Sequence, residues 1–147
     1  MESFTIKGEF DFITLTFEEV FSFPETTCHW GGYDVRAILE IQSGDFHVKS
    51  NLYTSTGEIF EFSQQLKSCN EKLKGTSKYI SYEGNLELIA EYDNAGHVNV
   101  KGEFSAQNQF GNKLTFEFSS DQTFISIALK DLEAIAEKYG DKNGIKK

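Results

Sequence analysis

Alternation of apolar and polar residues at every second position dominates this sequence. Between residues 13 and 18, for example, Ile13, Leu15 and Phe17 alternate with two threonines and a glutamate. Successive side chains of an extended chain point to opposite faces, so such a segment has one apolar and one polar face. The same alternation appears in further segments along the chain. The pattern is typical of antiparallel strands whose sheet has one solvated face.

Two segments have a different period, with apolar residues mostly three or four positions apart, which indicates amphipathic helices. The apolar positions of the first segment are Ile59, Phe62, Leu66, Cys69 and Leu73. Those of the second are Ile125, Ala128, Leu129, Leu132, Ile135, Ala136 and Tyr139. Ser55 and Glu58 form a capping box before the first helix, and Gly75 follows it as a stop signal. Asp121 is placed to cap the second.

These patterns predict an α+β fold, in which a twisted antiparallel sheet of about seven to eight strands packs against two amphipathic helices. A chain of 147 residues can bury a full core in one domain. We predict a single domain over residues 1–139 and a flexible polar tail over 140–147. The surplus of phenylalanine, with 14 residues, indicates that aromatic rings fill the interior.

The order of four strands and a helix occurs twice, which suggests an internal duplication. Two tetrapeptides also recur: Lys-Gly-Glu-Phe at 7–10 and 101–104, and Leu-Thr-Phe-Glu at 15–18 and 114–117. These matches pair the first two strands with the seventh and eighth, whereas a duplication would pair them with the fifth and sixth. We therefore interpret the tetrapeptides as chance recurrence.

Negative charge is concentrated in the first quarter of the chain. Residues 1–40 hold eight acids against Lys7 and Arg36, which is −6 of the formal net charge of −9. The acids are Glu2, Glu9, Asp11, Glu18, Glu19, Glu25, Asp34 and Glu40. Phosphate repels carboxylate, so this surface does not suit nucleic acid; it suits a basic protein partner.

Candidate catalytic and metal-binding residues are few and do not form a known set. The three histidines lack metal-ligand spacing, and Cys69 falls in the apolar stripe of the first helix. Cys28 and His29 suggest a nucleophile beside its base, but adjacent side chains of an extended segment point in opposite directions. Gly31-Gly32 lacks the other residues of a phosphate-binding loop. We predict no enzymatic activity, no cofactor and no metal.

The amino terminus lacks the features of a secretory signal, because Glu2 stands where positive charge is expected. No apolar stretch approaches the ~20 residues that span a bilayer. With only two cysteines, the composition favours a cytoplasmic protein with no membrane partner.

The segment Trp30-Gly31-Gly32-Tyr33 lies within the acidic quarter. It is interpretable as a loop whose tryptophan packs over the sheet, or as an exposed aromatic anchor at a partner interface. On the second interpretation, Trp30 and Tyr33 anchor a partner that nearby carboxylates attract. The candidate attracting residues are Glu18, Glu19, Glu25, Asp34 and Glu40.

The order of these features resembles the WapI-type family of small bacterial immunity proteins, over roughly residues 3 to 136. The segments that carry the resemblance are Trp30-Gly31-Gly32-Tyr33, Ser43-Gly44-Asp45-Phe46, the helix at 59–73, Asn85-Leu86-Glu87-Leu88, Gly96-His97-Val98-Asn99-Val100, Asn112-Lys113-Leu114-Thr115-Phe116 and Asp121-Gln122-Thr123-Phe124. The resemblance implies a non-enzymatic antidote that stays in the producing cell. Such a protein binds the toxic C-terminal domain of a contact-delivered or cell-wall toxin, often a nuclease.

The sequence therefore favours an immunity protein that neutralises a basic, nuclease-type toxin domain by binding it. An alternative is a small-ligand or scaffold module, in which the phenylalanines line a cavity within a curved sheet. Edge strands leave the homo-oligomeric state open.

Overall fold

A computed structural model describes residues 1–106 and 110–145. In these ranges the chain forms eight antiparallel strands and two helices, which confirms the predicted α+β fold. The elements are β1 (Ser3–Lys7), β2 (Phe12–Val20), β3 (Asp34–Ser43), β4 (Phe46–Ser55), α1 (Thr56–Lys72), β5 (Gly75–Ile80), β6 (Leu86–Tyr92), β7 (His97–Ser105), β8 (Lys113–Asp121) and α2 (Gln122–Tyr139).

The strands form two four-stranded sheets instead of the single predicted sheet. Sheet A has the strand order β1-β2-β3-β4, and sheet B has the order β5-β6-β7-β8. Helix α1 joins β4 to β5 and packs on β5. The two sheets approach each other through side-chain contacts such as the hydrogen bond that the Ser120 hydroxyl donates to the Lys7 carbonyl, at 2.6 Å. Alternation in the sequence shows which residues share a face of a strand, but it does not show which strands are neighbours. The division of the strands into two sheets therefore cannot be predicted from the alternation.

The recurring tetrapeptides occupy different structural positions in the two halves. Residues 8–10 of the first Lys-Gly-Glu-Phe lie in the turn between β1 and β2, whereas 101–104 lie within β7. The two copies therefore have no equivalent structural role, even though the order of four strands and a helix does repeat.

Both predicted helix caps are present. The Ser55 hydroxyl accepts a hydrogen bond from the Glu58 backbone N–H at 3.1 Å, and the Asp121 carboxylate accepts one from Phe124 N–H at 2.9 Å. These bonds satisfy amide groups that have no partner within the helix. Within the described ranges, neither helix has the length and apolar character of a membrane span.

The core lies between the inner faces of the sheets and the helices, and aromatic rings fill much of it. The buried phenylalanines are Phe4, Phe17, Phe62, Phe104, Phe116 and Phe118. Cys69 is also buried there, as its place in the helical stripe predicts. Because these rings are buried in one core cluster with aliphatic residues, they do not support the alternative in which phenylalanines line a ligand cavity.

The segment after α2, predicted as part of a flexible polar tail, contacts the domain in the structure. Over residues 140–145 it turns back onto the domain, where the Lys142 carbonyl accepts a hydrogen bond from Gly32 N–H at 2.6 Å. The Ile145 N–H donates to the Tyr33 hydroxyl at 3.1 Å, and Gly144 is buried. Residues 146 and 147 lie outside the described ranges. The carboxyl-terminal segment thus contacts and stabilises the loop that carries Trp30.

Candidate partner-binding site at the Trp30 loop

The Trp30 loop, residues 21–33, connects β2 to β3 and is fixed to the start of α1. Gly57 N–H donates to the Gly31 carbonyl at 3.1 Å, while Cys28 N–H donates to the Gly32 carbonyl at 2.7 Å. Gly32 has a φ of +64°, and a Cβ there would lie 2.1 Å from the Thr56 hydroxyl oxygen. Glycine is therefore required at Gly32 both for conformation and for space.

Trp30 combines the two interpretations that the sequence allowed. One face of its indole stacks on Tyr82, with centroids 5.3 Å apart and planes at 6°, yet 50% of the residue remains exposed. The Tyr82 hydroxyl donates a hydrogen bond to the Asp34 carboxylate at 2.8 Å. Burial, followed by this bond, raises the pKa of the Tyr82 hydroxyl, which therefore stays a neutral donor. The indole is thus an exposed ring in a fixed orientation.

Tyr33 is not the exposed anchor that the sequence analysis proposes. It is 1% exposed and packs edge-on against Phe23, with ring centroids 5.0 Å apart. Its hydroxyl donates to the Pro24 carbonyl at 3.3 Å. Tyr33 has the same alternation parity as the buried Val35, and the inward direction follows from that parity. Tyr33 therefore supports the Trp30 loop from the side of the core.

The structure brings four of the five candidate acids to the outer face of sheet A. Asp34 and Glu40 alternate with buried residues of β3, and a register shift in β2 lets both Glu18 and Glu19 reach Arg36. The Arg36 guanidinium pairs with Glu18 at 3.1 Å and with Glu19 at 3.3 Å. These pairs reduce the negative field of the face without removing it, because two carboxylates share one cation. The fifth acid, Glu25, is exposed in the Trp30 loop.

Sequence reasoning missed two residues of this region. Tyr53 lies opposite Arg36 on β4 and is 39% exposed, which adds a second aromatic ring to the outer face. Glu58 lines a groove beside Trp30, and burial raises its pKa to about 7. The capping box identifies Glu58 as a helix residue, but its burial arises from the distant Trp30 loop packing on α1.

The geometry around Cys28 does not assemble the nucleophile and base that a cysteine hydrolase needs. Its thiol donates a weak hydrogen bond to the Gly31 carbonyl at 3.6 Å, and burial raises its pKa. His29 instead packs edge-on against Trp30, with centroids 4.8 Å apart. A raised thiol pKa opposes formation of the reactive thiolate. Across residues 1–106 and 110–145, no cluster of His, Cys, Asp or Glu is arranged to hold a metal ion.

Comparison with known proteins finds a matching family model. Neither a curated protein nor a solved structure matches the chain. The family model described as the immunity protein WapI-like family matches residues 4–140, which include both sheets, both helices and the Trp30 loop. The chain belongs to the WapI-like immunity protein family.

Proposed function

We propose that this protein neutralises a basic, nuclease-type toxin domain in the cytoplasm of the producing cell, by direct binding and without catalysis. Membership in the WapI-like family supports an immunity function and a non-catalytic role. The proposed contact surface comprises the Trp30 loop and the outer face of sheet A. The proposed contact residues are Glu18, Glu19, Glu25, Trp30, Asp34 and Glu40.

The observation that carries the choice of surface is the orientation of Trp30. The ring is half exposed, but its stacking on Tyr82 and the bond from Tyr82 to Asp34 restrict its motion before any partner arrives. A preordered aromatic ring loses little conformational entropy on binding. Tryptophan is also among the residue types that contribute most to the free energy of protein interfaces.

The charge of this surface supports a basic partner. A nuclease must attract phosphate, so its substrate-binding surface carries lysine and arginine. Carboxylates on the outer face of sheet A would attract that surface over about 8–10 Å at physiological salt. Such attraction accelerates association and makes it sensitive to ionic strength.

Co-expression with the toxin domain encoded beside this gene tests the function. Cells that produce the toxin domain alone should stop growing, and cells that also produce this protein should survive. A stable complex of the two purified proteins should elute together from a size-exclusion column. Continued killing in the presence of abundant folded protein would refute the proposal.

Neutralising Glu18 and Glu19 should slow association with the toxin. We expect the double variant Glu18→Gln/Glu19→Gln to bind about threefold more slowly at low salt, with a nearly unchanged dissociation rate, because exposed charges act mainly on the encounter. Surface plasmon resonance at two salt concentrations measures both rates. The matched control is Glu71→Gln/Glu133→Gln, which removes the same charge from exposed positions on the two helices. An equal slowing by both pairs would show that only net charge matters.

A further inference from the structure

A groove of about 620 Å³ lies beside the Trp30 loop. The loop, the first turns of α1 and strand β5 form its walls. Trp30 and Ile80 line it with apolar surface, and they are 50% and 45% exposed. Glu58 lines the same groove with a carboxylate. The groove lining therefore combines apolar surface with an acidic group. Such a lining can bind a side chain that has an apolar stem and a cationic end.

The Glu58 carboxylate is held by hydroxyl groups on one of its oxygens. Oε1 accepts hydrogen bonds from the Ser55 hydroxyl at 3.1 Å and from the Thr54 hydroxyl at 3.4 Å. The buried Tyr79 hydroxyl donates to Thr54, which directs the Thr54 proton toward Glu58. Both hydroxyl bonds fall on Oε1, and a backbone hydrogen bond from Ser55 also lowers the pKa of the carboxyl. Within the described ranges, no cationic side chain forms an ion pair with this carboxylate.

Several charged or titratable groups surround Glu58, but within the described ranges none of the cationic ones forms an ion pair with it. Burial raises the pKa of Glu58 most, the two hydroxyl bonds oppose that effect, and the negative charge of Asp34 adds to it. Groups on the packed elements that face this region are Cys28, His29, Asp34, Glu61, Lys78, Tyr79, Tyr82 and Lys142. Lys78 pairs with Glu87 on the neighbouring strand at 4.0 Å. Burial without a paired cation favours the neutral, protonated form of this carboxyl, and a bound cation would favour the ionised form.

We propose that this groove receives an arginine side chain of the toxin domain, whose guanidinium bonds Glu58 Oε2 and packs against Trp30. The inference rests on the proposed function and assigns the chemistry of one contact within it. Arginine is chosen over lysine because the planar guanidinium stacks on aromatic rings and is less strongly hydrated. Because both hydroxyl bonds fall on Oε1, the contact uses Oε2.

The test is the affinity of the toxin domain for the wild-type protein and for Glu58→Gln at pH 6 and pH 8, measured by calorimetry. With a pKa of about 7, the carboxylate is ionised to about 90% at pH 8 and about 10% at pH 6. Arginine needs the ionised form, so wild-type affinity should be about tenfold higher at pH 8. Glu58→Gln should weaken binding about tenfold or more at pH 8 and lose this dependence on pH.

Two control variants separate this effect from others. Glu71→Gln makes the same chemical change on the same helix, 13 residues away or about 20 Å along the axis, and should keep both the affinity and its pH dependence. His29→Asn removes the histidine side chain that lines the same groove and should leave the pH dependence in place. Circular dichroism and thermal unfolding establish that each variant is folded.

A second measurement does not need the toxin. Trp30 is the only tryptophan, so its fluorescence reports on the groove directly. Titration with N-acetyl-L-argininamide at pH 8 should change the emission of the wild-type protein, and should change that of Glu58→Gln much less. N-acetyl-glycinamide, which lacks the cationic side chain, should leave both unchanged.

The outcomes distinguish the two proposals. Toxin binding that is equal for wild type and Glu58→Gln at both pH values overturns the arginine contact and leaves the immunity function standing. If the wild-type protein binds no toxin at all, the proposed function fails. In that case the argininamide titration still decides whether the groove accepts a guanidinium, and an unchanged emission overturns the inference.

Discussion

Replacing Gly57 with alanine should destabilise this protein by about 2–3 kcal/mol, although the same change in most helices is stabilising. Gly57 lies in the first turn of α1, where alanine is ordinarily favoured over glycine by about 0.5–1 kcal/mol. Here a Cβ would lie 2.5 Å from both the carbonyl carbon and the oxygen of Gly31. Those are backbone atoms of a loop that is also bonded to Lys142, so neither side can move away freely. The steric cost should therefore exceed the gain in helix propensity.

Urea denaturation measures the loss of stability, and two substitutions serve as references. Gln64→Ala, at an exposed position of α1, reports the effect of helix propensity alone and should change the free energy of unfolding by less than about 0.5 kcal/mol. Gly44→Ala, where no atom lies within 4 Å but φ is +60°, reports the cost of backbone conformation without steric contact. A Gly57→Ala protein as stable as the wild type would show that the loop is not held against the helix.

Gly57→Ala should also change the environment of Trp30, because the loop must shift to accommodate the methyl group. We expect the tryptophan emission to move to longer wavelength as the stacking on Tyr82 loosens. This readout connects the packing of a helix residue with the orientation of the proposed anchor.

Local periodicity predicts the elements of this fold well, because the faces of a strand or helix are determined by residues close in sequence. Residues typical of turns, Ser43-Gly44-Asp45 and Asp93-Asn94-Ala95-Gly96, connect the paired strands β3 and β4 and the paired strands β6 and β7. Both N-caps are also at the predicted residues. Each of these features depends on interactions within about four residues, which a single sequence displays directly.

Features that depend on distant pairing could not be predicted in the same way. The separation of sheet A from sheet B can be predicted only if the packing of α1 on β5 is known. No local sequence pattern indicates that packing. The docking of residues 140–145 uses backbone groups of Gly32 and Lys142, and backbone hydrogen bonding leaves no compositional signal. The polar composition of residues 140–147 therefore gives no indication of these bonds.

In the candidate site, too, features that depend on nearby residues are predictable from the sequence, and features that depend on distant residues are not. The outward direction of Asp34 and Glu40 follows from their alternation with buried residues, and the burial of Tyr33 follows from its parity with Val35, whereas the sequence leaves open whether Trp30 is packed or exposed. Charge counting could not show that Arg36 pairs with Glu18 and Glu19, because that geometry depends on a register shift within β2. The burial of Glu58 likewise depends on the Trp30 loop, which is more than twenty residues away in the sequence.

Removing the Trp30 side chain should cause the largest loss of toxin affinity among substitutions on the proposed surface. We expect Trp30→Ala to weaken binding by about 2–4 kcal/mol, or about 30-fold to 1,000-fold. The wild-type ring is already ordered by Tyr82, so its whole exposed face is available to the partner without further ordering. The free energy of unfolding should fall by only about 1 kcal/mol, because half of the side chain is already exposed.

Calorimetry with the purified toxin domain measures the change in affinity, and a matched control distinguishes a specific contact from general loss of apolar surface. Ile127→Ala truncates a side chain that is 53% exposed on α2, and it should bind the toxin like the wild type. Trp30→Phe should recover part of the affinity, since it restores a ring that can stack on Tyr82. Toxin binding by Trp30→Ala at wild-type strength, with the protein folded, would exclude the Trp30 loop as the anchor. The toxin would then have to bind another surface, and Glu58→Gln should have no effect on its affinity either.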